Sequence, residues 1–297
     1  QMKNSNKYKK ILFVSGSLDI GGTEKHLSLI LPELVKRNFL VSIFIVGRPG
    51  ALAPVLEQSG VKVHVPMGVR IIEKLPRRIL FIFLLASSII TLLFIIFKKK
   101  PQVLHMFLPL SYLVGGIVAK FSKVPYTIMS RRSRNHYMGK HKIAKYIELY
   151  LHKGTDLFLV NSRVVKADLI DEGVKPERIK LIYNGIELRE KNLYRCLRPQ
   201  QRLKMGIDET KIVIIVIANI YKYKGYDEII EAVELLPSQL RRQVILLSLG
   251  EDRGYKKSIN KKLQMAEIES DIRFIGSVND VTPFLAAADI GLLASHE

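Results

Sequence analysis

The stretch KIVIIVIANIYKYKGYDEIIEAV, Lys211 to Val233, joins three kinds of sequence in a fixed order. The branched apolar run Ile212 to Ile217 reads as a buried strand. A basic aromatic loop follows, Tyr221-Lys222-Tyr223-Lys224-Gly225. From Asp227 to Leu236, the residues Ile229, Ile230, Val233 and Leu236 recur at helical spacing. Strand, cationic loop and helix in that order form one α/β unit. Loops at the carboxyl ends of parallel strands collect anions, because backbone N–H groups and helix dipoles face them. The same spacing also fits a solvated lysine-rich turn, and this stretch alone does not choose between the two.

Downstream the pattern repeats. Val244 to Leu249 reads as a strand, Tyr255 to Glu267 as a helix, Ile272 to Ile275 as a strand, Val281 to Ala287 as a helix and Ile290 to Leu293 as a strand. Upstream, Ile11 to Val14 is a strand. It leads into the loop Ser15 to Glu24, which contains Gly21-Gly22, and then into a helix with Leu27, Ile30, Leu31 and Leu34 on one face. Strands at Leu40 to Val46 and Val61 to Val65 flank a short helix at Leu52 to Gly60. This βαβαβ opening predicts an α/β fold with right-handed crossovers. Further strands follow at Val103 to Met106, Tyr126 to Met129, Leu157 to Val160 and Ile179 to Ile182. The expected domains are 1–190 and 211–297, joined by a polar linker over 191–210. The second domain is expected to be incomplete at its C-terminal end.

Composition narrows the chemistry. Net charge is +20, which favours a phosphorylated ligand, a polyanion or an anionic membrane face. The one cysteine, Cys196, rules out a disulfide within this chain and fits a reducing compartment. No Cys/His spacing suggests zinc. GSLDIGG lacks the GxGxxG spacing, and no acidic residue closes the second strand, which argues against a dinucleotide-dependent oxidoreductase. A nucleic-acid binder fits the basic clusters, but no recognition motif accompanies them.

Ile79 to Phe97, ILFIFLLASSIITLLFIIF, carries no charge and lies between Pro76-Arg77-Arg78 and Lys98-Lys99-Lys100. Its length suits a bilayer core. A span, however, would divide one sheet between two sides of a membrane. The preferred expectation is therefore a helix at or dipping into one membrane face of an α/β body. A buried core or oligomer helix and a true span are the alternatives. Ser130-Arg131-Arg132-Ser133-Arg134 follows a strand and places three arginines where ligand loops gather, a pattern that suits phosphate. A solvated basic turn has the same pattern. His105, at the end of the preceding strand, is either a polar site residue or a packed histidine.

Taken together, these motifs resemble the retaining nucleotide-sugar glycosyltransferases with two facing Rossmann-like domains, the GT-B fold of the family 4-like, group 1 enzymes of bacterial surface polysaccharide synthesis. Lys224-Gly225 matches the family's basic-loop signature. Gly276, Asp280-Val281, Ala288-Asp289 and Ser295-His296-Glu297 match its later run, and Gly21-Gly22 with Glu24 matches its first loop. Asn161-Ser162 and Asn184-Gly185-Ile186 match the end of its first domain.

The resemblance implies a nucleoside diphosphate-sugar donor, with uridine diphosphate the default, and no separate cofactor or metal. It implies that Lys224 contacts the donor diphosphate and that Glu297 is the first carboxylate of a paired-glutamate motif. Gly21 and Gly22 would present amides to the diphosphate and acceptor. Asn219, Lys222, Lys224, Gly225 and Glu297 would line the donor site. Arg131, Arg132 and Arg134 would stand on the acceptor side. Two positions depart from the pattern. Asn219 stands where the family commonly has an arginine, so Lys222 or an arginine from the other domain takes that charge. Ser130-Arg131 stands where many members have a histidine, which leaves His105 for a catalytic polar role. The apolar segment and basic balance imply a lipid-linked or polysaccharide acceptor at an anionic membrane surface, on the cytoplasmic face of a bacterial inner membrane, and no nucleic acid partner. The competing expectation is a non-catalytic, membrane-associated α/β binding protein derived from such a transferase.

Overall fold

The computed structural model describes residues 9–19, 21–47, 49–68, 77–134, 142–185, 190–266 and 272–296. The chain divides into two compact units, Gln1–Ile186 and Glu187–Glu297. The first unit contains β1 (Lys10–Ser15), α1 (Gly22–Lys36), β2 (Leu40–Ile45), α2 (Ala53–Gln58), β3 (Lys62–His64), α3 (Arg77–Lys99) and β4 (Val103–Phe107). It continues through α4 (Pro109–Phe121), β5 (Tyr126–Arg131), α5 (Lys142–His152), β6 (Leu157–Val160), α6 (Arg163–Asp171) and β7 (Ile179–Leu181). Its seven strands run in the order β3-β2-β1-β4-β5-β6-β7, all parallel. β1 and β4 lie side by side, yet the chain leaves β1 in one direction across the sheet and leaves β4 in the other. The sheet therefore has a switch point between them, where a crevice opens outside the carboxyl ends of the strands.

The strands bury both faces, as a parallel sheet covered by helices requires. One face packs Phe13, Ile43, Ile45 and Phe107 against Leu27 and Leu31 of α1 and Leu56 of α2. The other packs Val14, Leu104, Met106 and Phe158 against α3, α4, α5 and α6.

The apolar segment read over 79–97 forms α3, in the crossover from β3 to β4. Ser88, Thr91, Leu92, Ile95 and Ile96 are buried, and its hydroxyls explain why. Ser88 Oγ donates to Val46 O at 3.2 Å, Ser87 Oγ donates to Met67 O at 2.6 Å, and Thr91 Oγ1 accepts from Met67 N–H at 3.1 Å. Polar groups on an apolar helix that are satisfied by the helix's own domain mark its inward face. Phe81, Ile82, Phe83, Ile90, Phe94 and Phe97 are exposed. Among the described residues it is the one helix long and apolar enough to cross a membrane. α3 is thus a core helix along one side and a bare apolar surface along the other.

The second unit contains α7 (Lys191–Lys204), β8 (Ile212–Ile217), α8 (Tyr226–Glu234), α9 (Ser238–Arg241), β9 (Val244–Leu249), α10 (Lys256–Met265), β10 (Ile272–Gly276), α11 (Thr282–Ala287) and β11 (Ile290–Gly291). Its parallel sheet is ordered β10-β9-β8-β11 and has its switch point between β8 and β11. The two parallel sheets, flanked by helices, agree with the α/β expectation.

The stretch read as a linker differs. Residues 191–204 are helix and belong to the second unit, where α7 lies against α11. Arg202 is buried there. Its guanidinium donates to Ala287 O at 3.0 Å, Asp208 O at 3.1 Å, Lys211 O at 3.2 Å and Asp289 Oδ2 at 2.7 Å. Five donors on one side chain collect the carbonyl ends that this junction would otherwise bury unpaired.

Candidate functional site

In the second unit the loop after β8 meets the chain after β11 at the switch point. Lys222–Lys224 form one 3-10 turn, and Gly225 ends it with φ +73° and ψ 26°. This left-handed geometry is one reason for the glycine. The other is proximity: a Cβ on Gly225 would stand 1.9 Å from Ala294 O. The His296 N–H donates to Tyr223 O at 3.0 Å, and His296 Nε2 lies 2.8 Å from Glu228 Oε1. The fold therefore brings Lys224-Gly225 together with Ala294 to His296, across about seventy positions of sequence. Glu297 lies outside the described residues.

Lys224 is half-buried, and its Nζ lies 4.9 Å from the centroid of the Tyr223 ring, which stacks on Tyr221 at 5.3 Å. An ammonium over a ring face keeps its charge and loses some of its freedom. Lys222 is exposed on the same turn. Asn219 Oδ1 accepts the Glu251 N–H at 2.9 Å. Its carboxamide ties the ends of β8 and β9 together and brings no positive charge in place of an arginine. Ser295 Oγ is buried and has no hydrogen-bond partner among the described residues.

In the first unit, Gly21-Gly22 follows β1 at the other switch point. Gly22 has open space where a Cβ would go, so packing does not demand glycine there. A Cβ on Gly21 would meet only the Glu24 carboxylate, at 2.3 Å. Glu24 folds back over the first turn of α1, and burial raises its pKa above the usual carboxylate range. Leu108, just past β4, has φ 69° and ψ 162°, a conformation that costs a leucine of order 1–3 kcal/mol. Strain of this kind at a sheet's switch point accompanies ligand loops.

The three arginines part company because a strand alternates its faces. Ser130 and Arg132 face α1, whereas Arg131 faces the helices on the opposite side. Arg131 is fully buried, with Nη1 donating to both Glu172 oxygens at 2.6 Å and Nη2 donating to Glu148. His152 Nε2 lies 2.9 Å from Glu172 Oε2, and its Nδ1 lies 3.0 Å from Tyr112 Oη. This is an internal charge network. The expectation that Arg131 meets an acceptor is corrected: its donors serve α5 and the end of α6.

Arg132 is half-buried at the carboxyl edge, 5.5 Å from the Phe107 ring centroid and bonded to Asn184 Oδ1. Arg134 is partly exposed and 3.4 Å from Asp168 Oδ1. His26, which the sequence reading missed, stands one turn into α1. Its pKa is lowered by burial and then by the charge of Arg132, which places the two side chains in one electrostatic environment. A histidine in the first turn after Gly-Gly was the available signal.

His105 is also corrected as a catalytic candidate. It is buried between Phe13 and Phe107, at ring centroid distances of 5.1 and 4.5 Å, and its Nε2 lies 2.8 Å from Ser130 Oγ. Burial, then Arg132 and His26, lower its pKa to about 3, so it is neutral at pH 7. Ser130, at the position of a missing family histidine, is the partner of this one. Among the described residues no cluster of His, Cys, Asp and Glu could hold a metal ion.

Comparison with known proteins identifies the family of both units. The profile of Glycosyltransferase Family 4 matches residues 20–190, more than half of the chain, and that of Glycosyl transferases group 1 matches residues 198–297. The lipopolysaccharide glucosyltransferase WaaG of Escherichia coli is 27% identical over 148 residues, 49% of this chain and 39% of that protein. The chain thus matches well under half the length of that relative. The crystal structure of Anabaena Alr3699/HepE in complex with UDP and glucose superposes with a TM-score of 0.78 at 21% identity, covering 97% of this chain and 74% of that one. The crystal structure of WaaG, a glycosyltransferase involved in lipopolysaccharide biosynthesis, gives a TM-score of 0.72 at 16% identity, over 97% and 75% of the two chains. At these identities the structural likeness speaks for the fold.

Proposed function

Because the chain belongs to Glycosyltransferase Family 4, with a group 1 glycosyl transferase region behind it, we propose that it moves a sugar from a nucleoside diphosphate-sugar to a lipid-linked acceptor, with retention at the anomeric carbon. The observation that carries this reading is the meeting of Lys224-Gly225 with Ala294 to His296 at the switch point of the second sheet. In this reaction the bond from the anomeric carbon to the β-phosphate oxygen breaks. The acceptor hydroxyl oxygen bonds to that carbon, and its proton passes to the departing phosphate. Negative charge grows on the diphosphate as it leaves, and a fixed cation there lowers the barrier. Lys224, held over Tyr223, is that cation, with Lys222 on the same turn as the second. Uridine diphosphate is the proposed nucleotide, in line with the UDP in the HepE complex. Glu297 is proposed to approach the donor sugar.

The Gly21-Gly22 loop, open above Gly22, and Arg132 with Asn184 form the proposed acceptor side. An anionic membrane surface suits the +20 charge, and the bare side of α3 supplies the apolar contact. The proposed location is the cytoplasmic face of a bacterial inner membrane. A non-catalytic binding protein is favoured by one observation: Asn219 leaves the donor loop one cation short. A screen of UDP-sugars with the full-length protein and a lipid-linked acceptor separates the two. Transfer that Lys224→Ala abolishes while the circular dichroism spectrum is kept supports the transferase. Donor binding without transfer or hydrolysis would mean the binding protein. Sedimentation with anionic vesicles, lost in Ile82→Glu/Ile90→Glu/Phe94→Glu, tests the membrane face.

A further inference from the structure

The amino edge of the first sheet, opposite both switch-point loops of that unit, has a cavity of about 310 Å³. It opens between the starts of β1, β2 and β3 and the carboxyl end of α3. Lys10, Lys62, Lys98, Lys99 and His64 line it, and no acidic side chain does. None of the four lysines is in an ion pair among the described residues. Its remaining lining is largely apolar, with Ile11, Phe39 and Leu40 at the strand starts.

Two further facts bear on what it holds. The Nε2 of His64 is buried and has no hydrogen-bond partner among the described residues, and an orphaned ring nitrogen of this kind is uncommon unless a ligand or water meets it. Burial, then the charges of Lys99 and Lys62, lower the His64 pKa, so the ring is neutral at pH 7. The carboxyl end of α3 contributes a partial negative charge of about half a unit, which two lysines at that end more than offset. Four cations around one half-apolar cavity repel one another, and a bound anion removes that repulsion.

We propose that this cavity binds a phosphate group borne on an amphiphile, with the lysine rim and His64 Nε2 on the phosphate and the apolar wall under its carbon chain. The exposed Phe94 and Phe97 lie just before Lys98 and Lys99 on α3, so a lipid headgroup has an apolar surface beside the cavity. A free phosphate would use the same cations. The proposal stands whether or not the chain transfers sugar.

The test follows the His64 imidazole signals by ¹H–¹⁵N NMR in the full-length protein. Dihexanoyl phosphatidic acid, inorganic phosphate and dihexanoyl phosphatidylcholine are titrated separately. Phosphatidic acid should shift the His64 signals saturably. Lys62→Ala/Lys99→Ala, two exposed positions, should weaken it by about tenfold or more through loss of two charge-assisted contacts. Tighter phosphatidic acid supports the amphiphile, and phosphate binding as tightly as phosphatidic acid overturns it in favour of a free anion. If neither moves His64, if the double variant binds like the wild type, or if phosphatidylcholine matches phosphatidic acid, the proposal is wrong.

Discussion

Gly225→Ala tests the donor-loop geometry where it is tightest. The new Cβ would stand 1.9 Å from Ala294 O, 2.6 Å from Ala294 C and 2.8 Å from Ala294 Cβ. These are mostly backbone atoms, so the loop or the segment after β11 has to move. The left-handed geometry at φ +73° adds its own cost. Roughly 1–2 kcal/mol comes from the conformation and 1–3 from the overlap, and a stiffer unfolded chain returns up to about 1, for a net loss of roughly 1–5 kcal/mol. The same displacement breaks the His296 N–H to Tyr223 O bond and frees the turn that positions Lys224. The chain has no tryptophan, so urea unfolding is followed by circular dichroism, with hydrogen exchange over 218–233 to locate the loss. UDP affinity should fall with it. Gly22→Ala is the control: a Cβ there meets nothing within 4 Å, and stability should stay within about 0.5 kcal/mol. Gly225→Ala that matches wild type in stability, exchange and UDP affinity would refute the contact between Gly225 and Ala294.

Arg131→Leu leaves Glu148 and Glu172 buried without their cation, which should cost about 3–5 kcal/mol by urea denaturation of the first unit. A stable Arg131→Leu protein with a raised acceptor KM would instead restore Arg131 to the acceptor side. His105 has a folded pKa near 3 against an ordinary 6.5, so its contribution to stability is complete above pH 6.5 and is lost as pH falls toward 3. The slope is at most about 1.4 kcal/mol per pH unit, and His105→Phe should flatten it; equal slopes would show that other groups take up the protons. Arg202→Leu strands buried carbonyls of the α7–β8 and α11–β11 junctions and should destabilise the second unit by about 3 kcal/mol. A change under about 0.5 kcal/mol would mean that water reaches them.

Periodicity carried most of the fold. The buried parallel strands announced themselves as branched apolar runs, and Ile229, Ile230 and Val233 marked the inward face of α8. What periodicity could not show was contact between distant segments. The residues 191–210 read as a linker because they are charged. Yet one of those charges, Arg202, is buried and takes its partners from Asp208 to Asp289. A long cation on a helix can be a structural cross-link, and composition scores it as surface. α3 shows the converse. Its lack of charge left a membrane face, a buried core helix and a span open, whereas Ser87, Ser88 and Thr91 define a protein-facing side.

The candidate sites were legible to the extent that local rules reach. Lys224-Gly225 was found as a strand-loop-helix motif, but the reason for its glycine is Ala294, which becomes a neighbour only when β11 returns beside β8. In the basic cluster the alternation of a strand could have been applied one step further. Once Tyr126 to Met129 is a strand and Arg131 continues it, Arg131 and Arg132 must point to opposite faces, and a single ligand cannot use both. The face that holds Ser130 also holds His105, so Ser130 marks the ligand-loop side and Arg132 inherits it. Arg132, with Asn184 and His26, therefore remains from that cluster as the cation with both the burial and the placement that an acceptor group would meet.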